Sequence, residues 1–133
     1  MADSIFTKIT KGEIPCHKVY EDKKTFAFLD IHPKQPGHVL VIPKKEVDHI
    51  WDLPDVDYLA VMETSKKVAK RINEVLKPTR IGMQVEGTGV PHAHVHLFPF
   101  KTISDFERRR SPEELSSEPD HDSLAEMAKK LAF

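Results

Sequence analysis

The sequence predicts an α+β fold: an antiparallel β-sheet of about five strands, one long helix packed on it, and short terminal helices. Three observations point there. Short runs rich in β-branched and aromatic residues recur along the chain, separated by turn residues. One stretch alone, residues 56–76, changes to a helical period. The segments joining the runs are mostly too short for the crossovers that parallel strands need.

The elements follow in chain order. Ile5, Phe6 and Ile9 have helical spacing and Gly12 is a stop signal, which predicts a short opening helix. Lys18-Val19-Tyr20 and Thr25-Phe26-Ala27-Phe28-Leu29 read as strands around a charged turn. Pro33, Pro36 and Gly37 break the chain, and Val39-Leu40-Val41-Ile42 is a dense β-branched strand. In the long helix Leu59, Met62, Ala69, Ile72 and Leu76 join Val61, Val68 and Val75 in an apolar stripe, with lysines and arginines opposite. Pro78 follows its end. Ile81–Val85 is a strand candidate, Glu86-Gly87-Thr88-Gly89 a turn, and a histidine-rich strand comes next. Beyond Lys101, Ser104-x-x-Glu107, Ser111-x-x-Glu114 and Ser123-x-x-Glu126 match the capping box, predicting helices near 112–117 and 122–132. The organisation expected is a single domain, 1–133, with 102–133 a helical C-terminal extension.

Bulk properties narrow the function. The 133 residues carry 20 basic and 21 acidic side chains, a formal net charge of -1, which gives no argument for a nucleic-acid or membrane partner. The single cysteine, Cys16, leaves neither an internal disulfide nor a multi-cysteine zinc site and fits a reducing compartment. The first residues lack the apolar core of a signal peptide, so a cytoplasmic location is expected.

The chemistry concentrates in His92-Ala93-His94-Val95-His96. On a strand the three imidazoles line one face, while Ala93, Val95 and Leu97 line the other. A solvated strand face is one reading. A metal site is another: two alternating histidines can share a zinc, with His32, His38, His49, Asp30 or Glu86 nearby, although no HExxH helix is present. The third is nucleophilic catalysis at phosphorus, in which one neutral imidazole attacks and its neighbours donate to phosphate oxygens. Gly87 and Gly89 would let backbone amides approach an anion.

His92-Ala93-His94-Val95-His96-Leu97-Phe98 resembles the signature of the histidine triad (HIT) family, His-φ-His-φ-His-φ-φ with φ apolar. Ser4–Ile9, Gly12–Pro15, Phe26–Pro33 and Pro36–Lys45 resemble further family segments in the same order, and the similarity is greatest to the Hint branch of nucleoside phosphoramidases. The resemblance implies a nucleotide hydrolase or transferase that cleaves a nucleoside 5′-phosphate derivative at the α-phosphorus through a nucleotidyl-histidine intermediate. It implies that His94 is the nucleophile, that His92 and His96 hold phosphate oxygens and orient it, and that His38 supports it from the neighbouring strand. Asp30 matches the acceptor of the ribose hydroxyls, and Ile5, Phe6, Ile9, Phe28 and Ile31 match an apolar slot for the base. Gly87, Thr88 and Gly89 fall in the phosphate-side loop. The implied partner is a purine nucleotide or nucleotide conjugate, the implied assembly a homodimer, and no cofactor is called for. A nucleotide-binding scaffold without catalysis and a metal-dependent hydrolase are the alternatives.

The chain departs from the family pattern in three places. Gln84–Pro91 is shorter than the Hint loop, and the usual serine donor position holds Gly89. Ser4 and Thr7 stand where zinc-binding relatives carry cysteines, which predicts no metal. The tail after residue 101 has no counterpart in the short Hint proteins.

Overall fold

The computed structural model describes residues 2–133. Its five strands are β1 (Lys18–Glu21), β2 (Thr25–Leu29), β3 (Val39–Pro43), β4 (Arg80–Gln84) and β5 (Val95–Phe100). They form one antiparallel sheet in the order β1-β2-β3-β5-β4. The helices are α1 (Ile5–Thr10), α2 (Asp55–Leu76), α3 (Ile103–Glu107), α4 (Pro112–Leu115) and α5 (His121–Leu131). Among the described residues no helix is long and apolar enough to cross a membrane.

Both faces of the sheet are covered, where the sequence argument placed a helix on one. Side chains alternate along β2 and β3, so Ala27, Leu29, Val39 and Val41 face one side, where they pack with Val61, Val68 and Ile72 of α2 and Leu124 and Leu131 of α5. Phe26, Phe28, Leu40 and Ile42 face the other side and pack with Phe6 and Ile9 of α1. Every residue of β2 and of β3 is buried. Such unbroken apolar runs are the mark of a strand sandwiched between two layers. Burial of each large apolar side chain contributes roughly 1.5–3 kcal/mol, so α2 is held mainly by Val61, Val68 and Ile72.

The long helix ends where Lys77 takes a left-handed conformation, φ +48°, with its N–H on the Asn73 carbonyl. Pro78 disfavours helical geometry at the residue before it and cannot continue the ladder. Past β5, α3 exists but is capped by Thr102 with Asp105, not by Ser104 with Glu107. Likewise Asp120, not Ser123, caps α5, and its carboxylate takes the Ser123 N–H. Ser111 caps α4 as its spacing predicts. Where two polar residues compete within one turn, packing selects between them: Phe106 is drawn onto Phe98 and Phe100, and this sets where α3 begins.

Candidate functional site

The histidines meet on the sheet face that also carries α1. They do not lie on one strand, as the alternation predicted. β5 begins at Val95, so only His96 is a strand residue, and His92 and His94 sit in a bent segment before it. The cause is local. The His92 N–H turns back to the Val90 carbonyl (2.8 Å), and the Ala93 N–H goes to the Val47 carbonyl (2.7 Å). The Pro43 carbonyl is taken by the His92 ring (2.8 Å). The rings still run in a row. Phe6 lies 5.1 Å from His94 between centroids, His94 5.0 Å from His96, His96 5.1 Å from His38, and His38 5.7 Å from Phe98. Ala93, Val95 and Leu97 are buried on the α2 side.

The hydrogen-bond partners assign the tautomers, because a carbonyl only accepts and a backbone N–H only donates. His94 Nδ1–H donates to the His92 carbonyl (2.8 Å), which leaves Nε2 with a free lone pair. The Lys34 N–H donates to His38 Nδ1 (3.0 Å), so the His38 proton is on Nε2 and goes to His96 Nδ1 (2.9 Å). His96 then carries its own proton on Nε2. His92 Nε2–H donates to Pro43, so its Nδ1 accepts from the Ser4 hydroxyl (2.8 Å).

Burial keeps His38, His96 and His92 neutral. It pulls His38, only 1% exposed, down to about 3 against the opposing pull of Asp30. Burial first, and His94 second, bring His96 down to about 4. His92 is lowered by burial as well. Its brace extends to Glu46, whose carboxylate accepts from the Thr7 hydroxyl and the Ser4 N–H, both at 2.7 Å. Those contacts, Thr7's first, hold Glu46 at about 2. Ser4 and Thr7 are thus hydrogen-bonding residues behind His92.

Asp30 lies beside His38, Oδ2 to Nε2 at 3.8 Å. It is also engaged elsewhere: Oδ2 accepts from Arg110 (2.8 Å) and Oδ1 from the His32 N–H (2.9 Å). Phe6, Ile9 and Phe28 are buried together in the second core. Ile5 and Ile31 are 54% and 44% exposed. Ile31 borders a separate apolar cavity of about 220 Å³ with Leu29, Leu124 and Met127.

A larger cleft of about 860 Å³ opens at His38 and His96 and is walled by Lys34, Gln84, Glu86, Thr88, Gly89 and the segment Phe106–Arg110. Gly87, at φ +76°, turns the loop. The Thr88 N–H and hydroxyl both go to the Glu86 carboxylate, so that amide is spent inside its own loop. Two donor sets could hold a cation: Asp30 with His38 and His96, and Glu86 with His94 and His96. In the first, His38 and His96 use their facing nitrogens on each other. His32 and His49 join neither set; His32 pairs with the Ser117 carbonyl.

Local pattern gives no sign of the roles of Glu46, Lys34 and the arginines, and it marks Ser4 and Thr7 only as positions without cysteine, not as the brace of His92. The run Arg108-Arg109-Arg110 was the one visible signal among these.

A single antiparallel sheet covered on both faces, with a row of tautomer-locked histidines at the starts of β3 and β5, defines a histidine-triad fold. The HIT domain signature matches residues 11–103, and the chain belongs to the HIT family. It is 41% identical over 110 residues to the adenosine 5′-monophosphoramidase HNT1 of Candida albicans, covering 75% of this chain and 72% of that protein. It is 39% identical over 105 residues to a HIT-like protein of Methanocaldococcus jannaschii, covering 71% and 77%. The crystal structure of a Hit-like protein from Bartonella henselae superposes with a TM-score of 0.79 at 31% identity, covering 97% of this chain and 94% of that one.

Proposed function

We propose that the protein hydrolyses a nucleoside 5′-phosphate derivative at its α-phosphorus through a nucleotidyl-His94 intermediate. The observation that carries this is the His94 ring: Nδ1–H is tied to the His92 carbonyl, and Nε2 is left free beside His96. A neutral imidazole is a competent nucleophile. Its lone pair forms an N–P bond as the bond from phosphorus to the leaving atom breaks, and the leaving group keeps that pair. Water then attacks the adduct, the N–P pair returns to Nε2, and the water's proton passes to solvent as the monophosphate departs. The His96 Nε2–H is aimed to meet charge developing on a phosphate oxygen. His38 acts one step back, holding that tautomer.

The relatedness to adenosine 5′-monophosphoramidases at about 40% identity supports a purine nucleotide substrate. On this reading the base lies against Phe6, Ile9 and Phe28, and Asp30 takes ribose hydroxyls through its unused lone pairs. The open edge at β4, where Met83 and Val85 are exposed, supports pairing of two chains as a homodimer. The free thiol of Cys16 fits a cytoplasmic setting. The test is His94→Ala. Turnover of adenosine 5′-phosphoramidate and diadenosine tetraphosphate is expected to be abolished while the circular dichroism spectrum is kept; full activity in that variant overturns the proposal.

A further inference from the structure

Lys34 is a buried cation without a counter-ion. It is 9% exposed. Its ammonium lies 4.6 Å from the Phe98 ring centroid and 5.3 Å from that of Phe106. It enters none of the ion pairs found among the described residues. Two ring faces offset part of the desolvation of an ammonium, but an apolar side chain would fill the same space without that penalty. Packing therefore gives no reason for a charge here. The charge borders the cleft at His38 and His96.

The neighbouring segment of the cleft lining brings more positive charge, held in place. Arg108 donates to the Lys34 and Pro33 carbonyls (2.9 and 3.2 Å) and is neutralised by Glu114. This fastens the arginine run across the turn that carries Lys34. Phe106 anchors the run at the sheet: a Cβ on Gly82 would come within 2.8 Å of its ring. Arg110 is shared between Asp30 and the His32 carbonyl, and among the described residues Arg109 has no carboxylate partner. Two carboxylates face the cleft. Glu86 is bound to Thr88, and Glu107 is exposed.

We propose that Lys34 and Arg109, flanked by the Asp30-paired Arg110, form an anion subsite beside His96 for phosphate beyond the one attacked, so that the favoured leaving group is a phosphate ester or anhydride rather than an amine. This rests on the reaction proposed above and names its leaving-group side. When Nε2 of His94 bonds to phosphorus, the P–O bond breaks and the oxygen leaves with its pair as a phosphate anion. That step needs charge stabilisation and no proton. An amine would have to gain a proton, and the cleft is poor in acids: the Thr88 hydroxyl is committed to Glu86, and His38 and His96 are neutral.

Titration calorimetry with inorganic tripolyphosphate, together with turnover of two substrates, tests the subsite. Tripolyphosphate is expected to bind the wild-type protein, about tenfold more weakly to Lys34→Met and to the surface variant Arg109→Gln, and more weakly in both cases as salt rises. In Lys34→Met, kcat/KM for diadenosine tetraphosphate is expected to fall about tenfold, and to fall severalfold further than kcat/KM for adenosine 5′-phosphoramidate. Binding unchanged in both variants, or an equal fall on both substrates, overturns the proposal. Turnover of the phosphoramidate without Lys34-dependent tripolyphosphate binding refutes the subsite and leaves the reaction standing. Lys34-dependent binding with no turnover of either substrate refutes the reaction and leaves the subsite.

Discussion

Acidification from pH 7 to pH 5 should destabilise this protein through its buried histidine pair. His38 and His96 are 1% and 8% exposed, and burial lowers them to about 3 and about 4. In the unfolded chain each titrates near 6.5. Between these values the unfolded state binds a proton that the folded state does not, so stability is full above about pH 6.5 and falls with pH below it. Each pH unit is worth about 1.4 kcal/mol per histidine well below the unfolded pKa. Integrated from pH 7 to pH 5 this is about 2 kcal/mol for each ring and about 4 kcal/mol for the pair. The sum depends little on how the two folded rings influence each other, because both stay neutral throughout the window. His92, lowered in the same direction, adds to it. The carboxylates held low, Glu46 among them, lose their contribution only below about pH 5. Urea unfolding followed by circular dichroism measures the change. With a slope of about 2 kcal/mol per molar, the midpoint should drop by about 2 M between pH 7 and pH 5. His38→Leu removes one titrating ring, so its pH-dependent loss should be about half as large. A wild-type midpoint that moves by less than about 0.5 M would refute the neutral, buried pair.

Four further outcomes are expected. Ser4→Ala removes both the cap of α1 and the donor to His92 Nδ1; a loss of about 1–3 kcal/mol in urea unfolding is predicted, and no loss would show the brace to be idle. Gly37→Ala places a Cβ 2.7 Å from Leu76 at φ +94°, and its melting temperature should fall by several degrees, corresponding to about 1–3 kcal/mol. Phe106→Ala takes away the contacts with Phe98 and Phe100; trypsin should then cut the Arg108–Arg110 run faster, with β-sheet circular dichroism retained. Asp30→Asn frees Arg110 and weakens any ribose contact, so KM for a nucleotide substrate should rise about tenfold with a smaller change in kcat.

Much of the fold is legible residue by residue. The unbroken apolar runs of β2 and β3 and the helical stripe from Val61 to Ile72 each signal their own state, because local period and burial agree there. The short spacing of His92, His94 and His96 likewise announces a site. The sequence is less informative wherever a side chain answers a partner far along the chain. His92 leaves the strand because the Pro43 carbonyl takes its ring, a contact across 49 positions. Ser4 supports it across 88 positions and Arg110 reaches Asp30 across 80. The caps fall at Thr102 and Asp120 rather than Ser104 and Ser123, a choice between candidates two or three residues apart that local capping rules do not settle. The arginine run reads as a solvated charge cluster until the chain folds back and lays it over His38.

The central claim is that His94 Nε2 forms a bond to phosphorus. Intact-protein mass spectrometry on samples acid-quenched during turnover of a nucleotide substrate tests it most directly. The account predicts a transient gain of one nucleotidyl group that maps to His94 and is absent in His94→Ala. Turnover with no adduct at any quench time, or an adduct on another residue, would contradict it.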